Sequence, residues 1–173
     1  MIGPVTPLSI RQRIFRKIVK GKIDFEQIFM VDLINSMYCF NAKNFLNPLI
    51  GFKAAPFYGC YIVRPSTTLG FEENPDRQMA LEQIIEAVGA EVVDFPGKTL
   101  CCGFPILTTN QENSVNMVAN HTIDAKDRGA DAMVTPCPLC HLNLDGYQPN
   151  ASSSRKRSID LPIIHLPQLI GLA

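Results

Sequence analysis

The sequence predicts an α/β fold, a mostly parallel sheet with flanking helices and an N-terminal helical extension. Three observations lead there. From residue 54 onward short β-rich runs alternate with helical stretches, which is the rhythm of a parallel sheet. Turn and cap residues stand at the junctions, among them Asn74-Pro75, Gly89 and Gly129. Residues 1–50, by contrast, carry only helical spacing.

Taken in order, Ser9 with Gln12 makes a capping box, after which Ile10, Ile14 and Ile18 recur four apart, as do Phe15 and Val19. Asp24 with Gln27 starts a second helix carrying Phe25, Ile28, Phe29 and Leu33. Residues 55–63 form a β-rich run with Cys60 near its end, and Asn74-Pro75 caps a helix running through Met79, Leu81, Ile84, Ile85 and Val88 to Gly89. Residues 91–95 are the next strand, 112–128 a helix stopped by Gly129, and 132–135 a strand after which Cys137 opens a short helix. Residues 151–157 read as a solvated polar loop and 161–165 as the last strand. The expected organisation is a helical extension or linker over 1–50 and one domain over 51–173.

At 173 residues and 46% hydrophobic, the chain can bury a core without cysteine staples. Lys plus Arg and Asp plus Glu both number 16, so no net field favours nucleic acid. The apolar stretch 28–40 is broken by Asp32 and Asn35 and falls short of the roughly 18 residues of a membrane span. No basic-then-apolar-then-small order marks a secretory signal, so a cytoplasmic, reducing compartment is expected and the Asn120 and Asn150 sequons carry no weight. Residues 1–23 hold six basic side chains and no acidic one. That basic amphipathic helix is either an ordinary surface helix or a docking face for a subunit or a lipid surface, with membrane contact at most peripheral.

Five of the six cysteines form one pattern: Cys60, then Cys101-Cys102-Gly103, then Cys137-Pro138-Leu139-Cys140. Each segment pairs thiols with turn-forming residues, as chains do when several loops converge on a soft metal centre. In a parallel sheet the loops at the carboxyl ends of strands gather on one edge, so the topology can bring all five together. Five thiols exceed the four of tetrahedral zinc, and adjacent Cys101 and Cys102 reach different atoms more easily than one ion. This favours an iron–sulfur cluster. A zinc site using Cys137-x-x-Cys140, or a thioredoxin-type exchange with Cys137 as nucleophile, stays open. Cys39, within Met37-Tyr38-Cys39-Phe40, reads as a small core hydrophobe. Around the pattern, Arg64 and Lys98 are candidate charge partners, His141 a candidate proton donor, and Asp145 and Gln148 either face the site or cap its helix. For each of these an ordinary structural role is at least as natural.

Pro56-Phe57-Tyr58-Gly59-Cys60, Arg64-Pro65, Cys101-Cys102-Gly103, Gly129-Ala130-Asp131-Ala132, Cys137-Pro138-Leu139-Cys140, Leu144-Asp145, Gln148 and the closing run 166–173 together carry a resemblance. From about residue 50 to 173 the chain resembles the cysteine-rich CCG domain found in the B subunits of the heterodisulfide reductase family, a module shared with E-type succinate dehydrogenase and fumarate reductase subunits. The resemblance implies a [4Fe-4S] cluster of the non-cubane type held by Cys60, Cys101, Cys102, Cys137 and Cys140, with zinc as the alternative occupant. It implies an iron–sulfur redox subunit moving electrons toward disulfide or related substrate reduction, the alternative being a zinc scaffold module. Implied partners are a ferredoxin-like iron–sulfur subunit and a flavin-containing subunit. Family members usually carry two such domains in tandem and this sequence has room for one, which leaves open a fragment, one half of a split subunit with a second CCG domain on another chain, or an electron carrier.

Overall fold

Four short strands, β1 (Lys53–Pro56), β2 (Glu91–Val92), β3 (Ala132–Thr135) and β4 (Ile163–His165), lie side by side in the order β2-β1-β3-β4, every pair parallel. This computed structural model describes residues 46–64 and 79–173. The expected N-terminal helices, Cys39 and the Asn74-Pro75 helix start lie outside the described residues. The register pairs Ala54 with Val92 on one side and with Ala132 on the other, and Met133 with Ile163.

Strands of two to four residues make few ladder hydrogen bonds, so the helices laid on both faces hold the sheet. Side chains alternate across a strand, and the buried residues divide accordingly. Ala55, Met133 and Ile163 face α2 (Gln111–Asp127), α3 (Pro138–Gly146) and α4 (Gln148–Arg155), where Val118, Leu144 and Ala151 complete one core. Ala54 and Val134 face α1 (Ala80–Ala87) and α5 (Leu166–Leu172), whose Leu81, Ile84, Ile85, Leu166 and Leu169 complete the other. Each fully buried Leu or Ile contributes about 2 kcal/mol, which outweighs the net contribution of one ladder hydrogen bond, about 1 kcal/mol. The central strand β3 is buried along its whole length on both faces, as inner parallel strands are.

Most elements fall where the spacing places them, with informative shifts. α2 starts one residue early because Asn110 caps it, its side-chain oxygen accepting from Asn113 N at 3.1 Å, and Gly129 at φ +88 ends it. β1 covers only the start of the 55–63 run, because after Phe57 donates to Val134 O the backbone turns away at Gly59, φ +71. The 91–95 strand keeps two ladder residues before Pro96 opens a 3-10 turn, Pro96–Thr99. The expected polar loop 151–157 is helical to Arg155. Burial of Ala151 beneath α2, together with the Arg155 bond to Asn120 Oδ1 at 2.7 Å, overrides the weak propensity of three serines, and Lys156 at φ 50 ends the helix. The closing run, for which no element was expected, forms α5 because Leu166 and Leu169 are buried and Gln168 Oε1 accepts from His165 N at 2.8 Å.

Gln148 is one of the structural anchors: its buried amide donates to Leu161 O at 2.7 Å and accepts from Leu161 N at 2.9 Å, tying α4 to the segment before β4. Replacing Gln148 with Leu strands both backbone groups and should lower stability to urea by about 2–4 kcal/mol. Arg157→Ala, which removes an exposed pair with Asp127, should leave the unfolding midpoint unmoved.

Candidate metal centre

β1 sends the chain to its neighbour β2, and β3 sends it the other way to β4, so a crevice opens beyond the carboxyl ends of β1 and β3. Cys60 follows β1 into that crevice and Cys137 follows β3. Cys101 and Cys102 arrive from β2 through the Pro96–Thr99 turn, and Cys140 stands in the first turn of α3. The five predicted site cysteines are thereby brought together. Cys102, Cys137 and Cys140 are buried, Cys60 and Cys101 are partly open, and none is in a disulfide.

Their contacts run as a chain. The Cys60 and Cys101 thiols hydrogen-bond to each other, Cys60 also feels the charge of Cys102, and Cys140 bonds to both Cys102 and Cys137. Among the described residues no three His, Cys, Asp or Glu side chains close around a point as a single-ion site. Electrostatics sort the thiols. Bonding from Cys140, aided by Phe104 N–H at 3.5 Å, holds Cys102 below the ordinary thiol value although burial opposes it. The same bonds to Cys102 and Cys137, then burial, push Cys140 far above it, and burial with Cys101 alongside pushes Cys60 up. So crowded a group keeps protons on some sulfurs until cations offset the repulsion.

Backbone bonds set the loops. Lys98 O accepts from Tyr58 N at 2.8 Å and Gly59 N at 3.2 Å, joining the loop of Cys60 to that of Cys101. His121, buried on α2 against Phe57, donates through Nε2 to Cys101 O at 2.9 Å. Asn143, fully buried on α3, donates to Cys102 O at 2.8 Å, while its own Oδ1 has no protein partner. Two glycines are needed on space as well as on φ. A Cβ at Gly59 would stand 2.7 Å from Cys140 Sγ, and one at Gly103, φ +96, 2.9 Å from Ser114 Oγ.

The other residues nominated from sequence stand elsewhere. Arg64 is exposed. Lys98 points its ammonium at Glu82 and Asp94, 2.9 and 2.6 Å away. His141 donates to Ile163 O at 3.1 Å, away from a proton-donor task, and Gln148 is the anchor described above. Asp145 is exposed, and with Gln148 it lines a separate cleft of about 340 Å³ beside α4. Sequence reading missed His121 and Asn143. Both sit on buried helix faces, a placement that one sequence alone does not distinguish from an ordinary core position.

The family model described as the cysteine-rich domain, CCG, matches residues 54–145. The chain is 40% identical over 126 residues to the 8-methylmenaquinol:fumarate reductase membrane anchor subunit of Wolinella succinogenes, a match spanning 73% of this chain and 44% of that one. It is 31% identical over 135 residues to the B subunit of the ferredoxin/F(420)H(2)-dependent CoB-CoM heterodisulfide reductase of Methanosarcina acetivorans, spanning 76% and 44%. A protein of Archaeoglobus profundus, named for its likeness to the B subunit of heterodisulfide reductase, is 32% identical over 127 residues, spanning 72% and 42%. The chain thus spans less than half the length of these curated relatives. Among the described residues no helix is long and apolar enough to cross a membrane.

Gly59 and Gly129 both hold left-handed backbone, φ +71 and +88, but only Gly59 has a neighbour where a Cβ would go. Gly129→Ala should therefore cost the strain alone, about 1–2 kcal/mol, and Gly59→Ala at least about 1 kcal/mol more from the clash with Cys140, as read by urea unfolding of the metal-free reduced chain.

Proposed function

Because the chain belongs to the cysteine-rich CCG domain family, we propose that it is an iron–sulfur redox subunit of a heterodisulfide-reductase-like complex. The observation that carries this reading is the convergence of five thiols from three loops on one crevice. The donor set fits a thiolate-held cluster: five soft ligands linked in a chain of contacts, and a glycine where a side chain would fill the space beside Cys140. Cys60, Cys101, Cys102, Cys137 and Cys140 would hold a [4Fe-4S] cluster of the non-cubane type. When bound, such a group supplies one-electron transfer toward reduction of a disulfide or a related substrate.

The chain's own residues prepare that site. Cys60 and Cys101 are partly open to solvent, while Cys102, Cys137 and Cys140 are buried away from water. The Gly103 and Phe104 N–H groups, 3.4 and 3.5 Å from the Cys101 and Cys102 sulfurs, offset negative charge that collects there and so favour the reduced state. His121 and Asn143 hold the carbonyls of Cys101 and Cys102, which keeps the adjacent pair from swinging out of register.

The whole complex follows as part of the same proposal. Curated relatives of more than twice the matched length are named as subunits of fumarate and CoB-CoM heterodisulfide reductases. A second CCG domain, a ferredoxin-like iron–sulfur subunit and a flavin-containing subunit are the partners this reading calls for. A reducing, cytoplasmic setting would keep the thiols available as ligands.

Purified without oxygen and loaded with iron and sulfide, the chain should be brown and hold about four of each per molecule. Serine at any one of the five positions should bleach it, whereas Cys39→Ser should not. A colourless chain holding a single zinc ion would overturn the proposal in favour of a scaffold module.

A further inference from the structure

One buried charged group lies outside the roles described so far. Glu82 on α1 is 3% exposed, yet it meets two side chains of the cysteine loops. Tyr58 OH donates to its Oε2, and Lys98 Nζ stands 2.9 Å from its Oε1. The Tyr58 oxygen also accepts from Leu81 N at 2.9 Å, so the ring is pinned at both its tip and its body, being fully buried against Leu81 and Ile85. Lys98 Nζ makes a second contact, 2.6 Å to Asp94, an exposed carboxylate on the approach to the same turn.

These side-chain contacts lie behind the backbone bonds that join the loops. Tyr58 and Lys98 are joined twice: through Glu82 at their side chains, and through Tyr58 N–H to Lys98 O at their backbones. Cys60 is two residues beyond Tyr58 and Cys101 three beyond Lys98. We propose that Glu82, Tyr58 and Lys98 are positioning residues, a latch that fixes the Cys60 loop against the Cys101-Cys102 loop so that thiols from β1 and β2 meet at one distance. Its role in assembling the site rests on the cluster reading above.

The physical reason is the cost of the alternatives. A carboxylate this deeply buried must keep its charge partners, so the protein holds Lys98 and Tyr58 together or leaves Glu82 uncompensated. Neither loop has a regular element between the latch and its cysteine apart from the 3-10 turn, so the position of Cys60 follows that of Tyr58 and Gly59. Cys137, the N-cap of α3 just after β3, and Cys140 in the first turn of α3 are carried by elements that hold none of the latch residues.

The test uses the full reduced chain without metal, in which native-state alkylation of each thiol by iodoacetamide is followed by peptide mass spectrometry. Lys98→Met and Tyr58→Phe should raise the Cys60 rate about tenfold relative to Cys137 in the same molecule, as local opening of the loop. Lys98→Arg should restore the parent ratio. Loss of a cation lowers thiolate content and slows alkylation, so acceleration reports loop release rather than altered charge. Tyr58→Phe removes a single oxygen and serves if Lys98→Met does not fold. An unchanged ratio in the folded variants, or equal acceleration at Cys60 and Cys137, overturns the latch. Iron and sulfide loading of the parent chain is measured alongside: if the parent takes up neither while Cys60 alone accelerates in the variants, the cluster reading falls and the latch stands.

Discussion

The carbonyl of Lys98 accepts two backbone N–H groups, those of Tyr58 and Gly59, and the candidate centre depends on that junction. It joins the exit from β1 to the segment after β2 at the point where neither chain belongs to the sheet any longer. The strands behind it, four and two residues long, are too short to specify by themselves where Cys60 lies relative to Cys101. Glu82 backs the junction from inside the protein, His121 fixes the carbonyl of Cys101 three residues on, and Asn143 that of Cys102. Three successive elements, α1, α2 and α3, thus each spend one buried polar side chain on the loops that carry the cysteines.

Parallel topology explains why so small a sheet can serve this purpose. Strands running the same way deliver all their outgoing loops to one edge, and the order β2-β1-β3-β4 leaves a crevice between the outgoing chains of β1 and β3. Apolar helix faces supply most of the cohesion, on both sides, which leaves the loops available for ligands. The glycines at 59 and 103 let backbone approach sulfur and the α2 backbone more closely than any side chain would allow. Those are features of a fold in which stability is placed in the layers and chemistry at their rim.

Much of this was legible in the residues. The residue pattern located β3 and α2 almost to the residue, because Gly129 stops the helix and the β-rich run 132–135 follows it. Spacing located α4 and α5 poorly. Ser152, Ser153 and Ser154 favour loops in isolation, and burial of Ala151 under α2 with the Arg155 bond to Asn120 makes them helical, while α5 depends on burial of Leu166 and Leu169 beside β3 and β4. The five cysteines were legible as a set because thiols beside Gly and Pro in three separate loops are rare without a shared task. Their helpers were not, because His121, Asn143 and Glu82 act through bonds to backbone or side chains 16 to 41 residues away, which no local pattern records.

By itself, then, the amino-acid sequence determined the α/β class, the main strands and helices, and which thiols belong together, since all of these follow from short-range periodicity and residue chemistry. Tertiary structure alone decided how the thiols pair in space, which of them water reaches, and that Lys98 serves a carboxylate at Glu82 rather than the sulfurs. The physical reason is that burial and long-range hydrogen bonds are set by which helix covers which face of the sheet, and that choice is made by the folded chain as a whole.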